Sequence, residues 1–211
     1  MKLLLVAATS FEIQPFISYY SSTELERKHD VDVLVTGVGM VATAFSLGRK
    51  FSEGRYDFAI NAGIAGSFNK NIEIGETVVV KDDRFVELGA EDNESFLSIE
   101  ELGFGISTYF SSFTNSFLES LKAVSGITVN KVHGRLSSIE STLNLFNPDV
   151  ESMEGAAFLF ACREVDIPAV ELRSISNYVE PRNRDSWQIT LAITNLNDTL
   201  IRFVEHLSKD E

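Results

Sequence analysis

Short apolar runs alternate with longer stretches of helical spacing along the chain, and this pattern predicts strands that alternate with helices. The predicted strands cover residues 2–8, 31–36, 56–61, 75–80, 128–133 and 169–175. The predicted helices cover residues 12–20, 40–51, 117–124, 140–146, 154–165 and 188–207. Such alternation is typical of one layered α/β domain, which we assign to the whole chain, residues 1–211.

Three segments show neither the short apolar runs of strands nor the spacing of apolar residues typical of helices. Residues 24–30 form a charged connector, and residues 81–117 are irregular, with six phenylalanines spread among Gly and Ser. A loop of this second kind often carries function or an interface. Residues 62–67, Ala-Gly-Ile-Ala-Gly-Ser, are small enough either to bring backbone amides close to a ligand or to form a tight turn.

Residues 153–177 contain two polar side chains at positions that suit a binding site. Glu154 heads a helix that is apolar on every side, and Asn177 ends the strand that follows it. Ligands in open α/β sheets bind at the carboxyl ends of strands. Taken alone, however, the two residues favour a plainer interpretation, in which the helix dipole favours the Glu and the Asn forms a turn.

Composition and charge exclude several classes of protein. The net charge of −13 argues against nucleic acid and anionic membrane surfaces as partners. The single cysteine, Cys162, lies in an apolar helix and is expected to serve packing. His29, His133 and His206 do not have the spacing of metal ligands, so we expect no metal. No apolar run could span a membrane and the first eight residues fit a buried strand better than a signal peptide, so a cytoplasmic protein is the expectation.

Candidate chemistry lies in three side chains at predicted strand–helix junctions: Glu12, Glu154 and Asn177. Two carboxylates facing one cavity suit hydrolysis of a glycosidic bond, because one can activate water while the other holds sugar hydroxyls. The Gly-Val-Gly turn at residues 37–39 is only a weak dinucleotide signal, since no acidic residue clearly closes a ribose-binding strand after it. These patterns allow a glycosidic hydrolase without singling it out.

Five segments, in order along most of the chain, resemble the nucleosidase branch of the purine nucleoside phosphorylase/uridine phosphorylase superfamily. They are Ala-Thr-Ser-Phe-Glu at 8–12, Thr-Gly-Val-Gly-Met-Val-Ala at 36–42, Asn-Ala-Gly-Ile-Ala-Gly at 61–66, Val-Glu-Ser-Met-Glu-Gly-Ala-Ala at 150–157 and Arg-Ser-Ile-Ser-Asn at 173–177. The resemblance implies a three-layer α/β domain with a central, mixed, twisted sheet flanked by helices. It also implies a small-molecule nucleoside as the substrate, no cofactor, and a homodimer or larger homo-oligomer.

The same resemblance implies roles for single residues. Glu12 corresponds to the general base that deprotonates water attacking C1′ of the ribose. Glu154 corresponds to the carboxylate that binds the ribose hydroxyls, and Asn177 lies in the segment that binds the base. The substrate-binding residues expected from the five segments are Thr9, Ile64, Ala65, Gly66, Met153, Arg173 and Ser176.

Two departures from the family pattern narrow the choice of purine base and of nucleophile. Asn177 stands where methylthioadenosine/S-adenosylhomocysteine nucleosidases carry an Asp that protonates adenine N7, and an amide cannot act as an acid. An amide both donates and accepts hydrogen bonds, which suits a 6-oxopurine. Asn61 stands where hexameric phosphorylases carry an Arg, and loss of a guanidinium weakens phosphate binding. Water is therefore the expected nucleophile.

Residues 176–187, Ser-Asn-Tyr-Val-Glu-Pro-Arg-Asn-Arg-Asp-Ser-Trp, resemble the futalosine hydrolases, which remove hypoxanthine from futalosine in the alternative menaquinone pathway. Three alternatives stay open: a methylthioadenosine/S-adenosylhomocysteine nucleosidase, a phosphorylase, and a nucleoside-binding sensor without turnover. Futalosine carries a benzoate, for which Arg135, Arg182 and Arg184 are candidate partners. For each arginine, a surface ion pair is the plainer interpretation.

Overall fold

The computed structural model describes residues 1–23, 29–93 and 95–207, so most of the predicted connector at 24–30 lies outside the described residues. The strands are β1 (Lys2–Ala7), β2 (Asp30–Val35), β3 (Phe58–Ser67), β4 (Thr77–Phe85), β5 (Gly89–Asp92), β6 (Ser95–Ser98), β7 (Thr108–Phe110), β8 (Ala123–Thr128), β9 (Val150–Ser152) and β10 (Ala169–Tyr178). The helices are α1 (Ser10–Ser22), α2 (Met40–Glu53), α3 (Ser116–Glu119), α4 (Leu136–Phe146), α5 (Gly155–Arg163) and α6 (Ile189–Leu207), with one 3₁₀ turn at Arg184–Ser186.

Among the described residues, eight strands form one mixed sheet, in the order β10-β4-β8-β9-β3-β1-β2 with β7 attached to β4. β10 also pairs with β3, in parallel. As a result, β3, β10, β4, β8 and β9 form a closed ring of hydrogen-bonded strands. β5 and β6 form a separate hairpin.

Helices cover both faces of the sheet, and this explains the unbroken apolar sequence of β1. Leu3 and Leu5 belong to the core under α1 and α6, whereas Leu4 and Val6 belong to the core under α2 and α5. Alternate residues of a strand point to opposite faces, so a strand covered on both sides is apolar throughout. The predicted three-layer α/β architecture with a mixed sheet is confirmed. In the described part of the chain, no helix is both long enough and apolar enough to cross a membrane.

Some predicted elements are wrong. Residues 62–67 do not form a turn but continue β3, because β9 and β10 pair with them on either side. The predicted helix at 117–124 is reduced to the four-residue α3, and the predicted strand at 128–133 lies five residues earlier, as β8. β8 runs between β4 and β9 and is parallel to both. Two flanking ladders outweigh the low strand propensity of its Ala, Ser and Gly residues.

The topology brings three predicted site segments to one edge of the sheet. β1, β3 and β10 are mutually parallel neighbours, so their carboxyl ends lie side by side. Thr9 follows β1, and Gly66 and Asn177 lie near the ends of β3 and β10. This edge is where a ligand is expected in an open α/β sheet.

Candidate active site

A cavity of about 440 Å³ opens at this edge of the sheet. Small-molecule sites typically measure about 300–1,000 Å³, so the cavity has room for a nucleoside. It is lined by nine of the ten site residues predicted from sequence: Thr9, Glu12, Ile64, Ala65, Gly66, Met153, Glu154, Ser176 and Asn177. The tenth, Arg173, is buried and does not line the cavity.

Glu12 is held in the first turn of α1 by hydrogen bonds to both of its oxygens. Oε2 accepts from the backbone N–H of Thr9 at 3.0 Å and from the Thr9 hydroxyl at 2.9 Å. Oε1 accepts from the backbone N–H of Ile64 in β3 at 3.2 Å. Thr9 is the N-cap of α1, so a helix start and a neighbouring strand together fix the carboxylate.

The helix that carries Glu12 contains a proline, and a side chain from α6 compensates for it. Pro15 has no N–H and disturbs the helical hydrogen bonds of its turn. The buried amide of Asn197 inserts there: its Oδ1 accepts from Phe16 N–H at 2.8 Å, and its Nδ2 donates to the Glu12 carbonyl at 2.8 Å. The backbone of Glu12 is therefore tied directly to α6.

Glu154 precedes α5 as its N-cap, but its side chain does not cap that helix. Instead, Oε1 accepts from the backbone N–H of Gly39 at 2.9 Å. Gly37 and Gly39 have φ angles of +86° and +96°, which explains the two glycines of this turn. Burial raises the pKa of the Glu154 carboxyl, while Arg173 and the Gly39 N–H act in the opposite direction. The turn at residues 37–39 thus holds a carboxylate of the cavity wall.

Asn177 reaches the cavity because β10 contains a bulge. The register of β10 against β3 shifts between Ile175 and Asn177. Asn177 Oδ1 accepts from the Ser176 hydroxyl at 2.8 Å, and Nδ2 donates to the Tyr178 carbonyl at 3.0 Å. An amide has two N–H groups and two acceptor positions, so one of each is left for a ligand.

Arg173 was expected among the substrate-binding residues, and the structure corrects this expectation. The side chain is fully buried and does not line the cavity. Its Nε donates to Glu171 Oε1 at 2.9 Å, and its Nη2 donates to Asn61 Oδ1 at 2.5 Å. Burial disfavours the cation, but the surrounding carboxylates, Glu171 foremost, raise the pKa of Arg173. Arg173 therefore acts on the cavity through its charge.

Below Arg173, two carboxyl groups meet inside the ring of strands. A Cβ on Gly155 would collide with both Asp83 and Glu171, which places the two carboxyls against each other at the start of α5. Burial raises the pKa of Asp83 well above its usual value of 3.8, and the charge of Glu171 raises it further. Glu171 Oε2 is buried, and no other described group donates to it. Burial raises the pKa of Glu171 as well, so a proton held between the two carboxyls would supply the donor that this oxygen lacks.

His133 and Glu151 line the cavity as well, although neither residue is among the site residues predicted from sequence. The backbone N–H of His133 donates to Glu151 Oε1 at 3.0 Å, and its Nδ1 lies 2.5 Å from Glu151 Oε2. His133 Nε2 lies 2.9 Å from the hydroxyl of Thr142. Glu151 lies two residues before Met153, and this spacing is the signal that could have identified it, because such residues share a strand face.

The loop after β10 closes one side of the cavity. Arg182 and Trp187 both line it, and the Arg182 guanidinium lies 5.3 Å from the Trp187 ring. Arg184 stacks on the same ring at 5.9 Å but does not line the cavity, and neither does Arg135. None of the described residues between 81 and 117 lines the cavity, so the Phe-rich segment does not close it.

A second depression, of about 570 Å³, contains none of the predicted site residues. It lies between β7 and the end of α5 and includes Cys162. Burial raises the pKa of the Cys162 thiol, which agrees with a packing role rather than a nucleophilic one. Within the described ranges, no group of three or more His, Cys, Asp or Glu side chains is arranged to hold a metal ion.

Known proteins resemble this chain along most of its length. A family model described as the phosphorylase superfamily matches residues 2–208. A futalosine hydrolase of Streptomyces coelicolor is 32% identical over 183 residues, covering 80% of this chain and 76% of the relative. A 5′-methylthioadenosine/S-adenosylhomocysteine nucleosidase of Colwellia psychrerythraea is 24% identical over 184 residues, covering 81% and 76%. The solved structure of futalosine hydrolase from Helicobacter pylori superposes with a TM-score of 0.81 at 16% identity, over 98% of both chains, and supports the fold alone.

Proposed function

The chain belongs to the phosphorylase superfamily and is an N-glycosyl hydrolase, and we propose that it hydrolyses the N-ribosidic bond of futalosine. The products are hypoxanthine and dehypoxanthine futalosine, as in the futalosine route to menaquinone. The observation that carries the proposal is the amide of Asn177 in a cavity that also contains the carboxylates of Glu12 and Glu154. The futalosine hydrolase of Streptomyces coelicolor, which is 32% identical, supports the same substrate.

In the proposed mechanism, Glu12 is the general base. Its two oxygens accept three hydrogen bonds from Thr9 and Ile64, which leaves acceptor capacity for a water molecule. Glu12 deprotonates this water as it attacks C1′, while the bond from C1′ to the purine nitrogen breaks. Glu154, fixed by the Gly39 N–H, accepts hydrogen bonds from the ribose hydroxyls.

The leaving base is stabilised at Asn177. The free N–H of this amide donates to the purine as negative charge develops on the leaving ring. An amide does not supply a proton, so the reaction depends on a base that leaves as a stabilised anion. Hypoxanthine meets this requirement more readily than adenine, which is the reason for preferring a 6-oxopurine.

The surroundings of Asn61 support water rather than phosphate as the nucleophile. Asn61 is buried, does not line the cavity and accepts a hydrogen bond from Arg173. The Arg173 guanidinium is already paired with Glu171. Among the described residues that line the cavity, Arg182 is the only Arg or Lys. One arginine is few for the binding of a phosphate dianion.

Arg182 is also the arginine best placed to pair with the benzoate of futalosine. It lines the cavity, whereas Arg184 and Arg135 do not. Its guanidinium is stacked on Trp187, and its backbone N–H donates to the Gly134 carbonyl at 3.1 Å. We therefore propose Arg182 as the partner of the substrate carboxylate.

Incubation of the protein with futalosine, with hypoxanthine release followed by chromatography, tests the proposal directly. We expect release without added phosphate and without formation of a sugar 1-phosphate. The absence of hypoxanthine at high enzyme concentration would exclude the proposed substrate.

A methylthioadenosine/S-adenosylhomocysteine nucleosidase is the second candidate, which the 24% identical relative from Colwellia psychrerythraea supports. Asn177 opposes it, because adenine release needs an acid that an amide cannot provide. Adenine release from methylthioadenosine at a kcat/KM above that for futalosine would favour this second candidate. A binding protein without turnover would bind the nucleoside and release neither base; the presence of both Glu12 and Glu154 opposes that alternative.

A further inference from the structure

Three adjacent strands place Glu151 and Asn177 on either side of Gly66. Gly66 pairs with Glu151 of β9 and with Asn177 of β10. Residues paired across a sheet point to the same face, so the two side chains flank the glycine on the cavity side. A Cβ on Gly66 would lie 3.3 Å from Asn177 Nδ2 and 3.6 Å from Glu151 Cγ. A methyl group of Val179, 2.9 Å from the same position, packs into the space over the glycine, with the Asn177 amide and the Glu151 side chain on either side.

His133 holds the carboxylate of Glu151 in one orientation. It donates to one oxygen through its backbone N–H at 3.0 Å, and its ring Nδ1 lies 2.5 Å from the other. Thr142 fixes the far side of the ring, at 2.9 Å from Nε2. Glu151 is only 3% exposed, yet it lines the cavity. Each oxygen of Glu151 keeps a second acceptor position. The carboxylate therefore offers hydrogen-bond acceptors to a ligand in the cavity and no donor.

A 6-oxopurine and a 6-aminopurine differ in how they meet such an acceptor. Hypoxanthine carries a hydrogen on N1, next to the O6 acceptor. Adenine has a lone pair on N1, which a carboxylate repels. Sites that hydrogen-bond a substrate N–H reject an analogue that lacks it, because the buried group is then left unpaired.

We propose that Glu151 accepts the N1–H of the base and thereby selects a 6-oxopurine, with His133 as the residue that positions it. Asn177 then donates its one remaining N–H to the N7 side of the base, on the other side of Gly66. The inference rests on the proposed function and adds a second determinant of base specificity to Asn177.

The test compares two substrates, futalosine and its 6-amino analogue, in the wild type and in Glu151→Gln. Gln keeps the shape of the side chain but lacks the charge, and it can turn an N–H toward N1 of adenine. We expect kcat/KM for futalosine to fall roughly 10- to 100-fold, while that for the 6-amino analogue is unchanged or rises. Glu87→Gln, in which the exposed carboxylate accepts hydrogen bonds from Asn130, is the matched control and should behave as wild type.

Two further variants separate positioning by His133 from a purely structural role. His133→Asn keeps an N–H donor near the position of Nδ1, whereas His133→Phe removes it. We expect His133→Phe to shift the substrate ratio as Glu151→Gln does, and His133→Asn to restore it. An equal loss on both substrates in Glu151→Gln, or no loss on either, would overturn the inference.

Binding of the free bases by calorimetry keeps this test independent of the proposed reaction. We expect the wild type to bind hypoxanthine more tightly than adenine, and Glu151→Gln to lose that preference. If the wild type does not cleave futalosine, the proposed function fails, and base binding alone decides the role of Glu151. If the preference for hypoxanthine survives in Glu151→Gln, the inference fails while the proposed function stands.

Discussion

Glu12 is the residue on which the proposed hydrolysis depends most directly. Glu12→Gln keeps the side-chain shape but cannot take a proton from water, so we expect kcat with futalosine to fall about 10²- to 10⁴-fold. Steady-state hypoxanthine release is the measurement, with hypoxanthine binding as a check that the cavity is intact. Glu73→Gln, at an exposed carboxylate, is the matched control. An unchanged kcat would remove Glu12 from the role of base.

The proposed ion pair between Arg182 and the benzoate of futalosine can be tested separately. Arg182→Ala removes the proposed partner of the benzoate, and because the site is open to solvent we expect only a roughly threefold to tenfold rise in KM for futalosine. A nucleoside without a carboxylate, such as inosine, should show no change. Arg184→Ala, which removes the other guanidinium stacked on Trp187, serves as the control. Equal KM values for Arg182→Ala and wild type would exclude the pairing.

At the scale of secondary structure, the contact between α1 and α6 controls the position of Glu12. Asn197→Leu removes the hydrogen bonds to Phe16 N–H and the Glu12 carbonyl, at a cost of about 1–3 kcal/mol for each group left unpaired. We expect a lower melting temperature and a kcat that falls more than KM rises. Asn195→Ala is the control, since that amide of α6 donates to the Gly75 carbonyl instead.

A second substitution tests whether the proline is the reason for this contact. Pro15→Ala in the Asn197→Leu background restores a backbone N–H to the first turns of α1 and removes the ring that disturbs them. We expect this double variant to recover part of the stability and of kcat. A double variant no better than Asn197→Leu would mean that Asn197 does not compensate for Pro15.

The elements predicted well from sequence are those whose own apolar residues show which positions are buried. β1 and α6 are examples, because the unbroken apolar run of β1 and the apolar stripe of α6 are visible within the segments themselves. β8 and the second half of β3 are different: their small residues become strand only because other strands pair with them on both sides. Long-range pairing of this kind leaves no periodic signal in the segment itself.

The same distinction applies to the candidate site. Glu12, Glu154 and Asn177 stand at element boundaries, where a polar residue is visible in the sequence, and the structure brings them into one cavity. Glu151 and His133 are separated in sequence by α4, and only the pairing of the strands in the ring brings them into contact. Arg173 was misplaced because it lies in the middle of β10, where the sequence does not indicate whether a side chain faces the cavity or the buried interior.

For the whole molecule, the buried acid pair predicts how stability depends on pH. The pKa of Asp83 is raised in the folded protein, chiefly by burial, so its contribution to stability is fully present below about pH 4 and is lost as pH rises through the folded-state pKa. Asp83→Asn resembles the protonated acid at every pH: Oδ1 can accept from Thr128 and Nδ2 can donate to Glu171.

We therefore expect the free energy of unfolding of wild type to fall relative to that of Asp83→Asn as pH rises above about 4, with a limiting slope of about 1.4 kcal/mol per pH unit until the folded-state pKa is passed. Thermal unfolding at a series of pH values is the measurement. Asp82→Asn, at the neighbouring carboxylate that accepts from the Ser125 hydroxyl, is the control. Parallel curves for wild type and Asp83→Asn would show that Asp83 is ionised in the folded protein.

The outer surface of α2 favours association with a second copy of the chain. Val41 and Phe45 lie one helical turn apart and are 78% and 66% exposed, beside Val38 of the cavity wall. We propose that this apolar face forms the interface of a homo-oligomer. Sedimentation should give at least twice the chain mass of 23.4 kDa, and Phe45→Glu should lower it. A monomer at micromolar concentration would contradict the proposal.

The amide of Asn197 links α6 to α1 at the residue proposed to activate water. Because ribosomes add residues from the amino to the carboxyl end, Glu12 is made early and its support arrives only after α6 has been translated and docked. An incomplete chain would carry every cavity residue up to Asn177 and still lack the group that braces α1. Chains that end before α6 are therefore expected to hydrolyse futalosine more slowly than the chain that includes it.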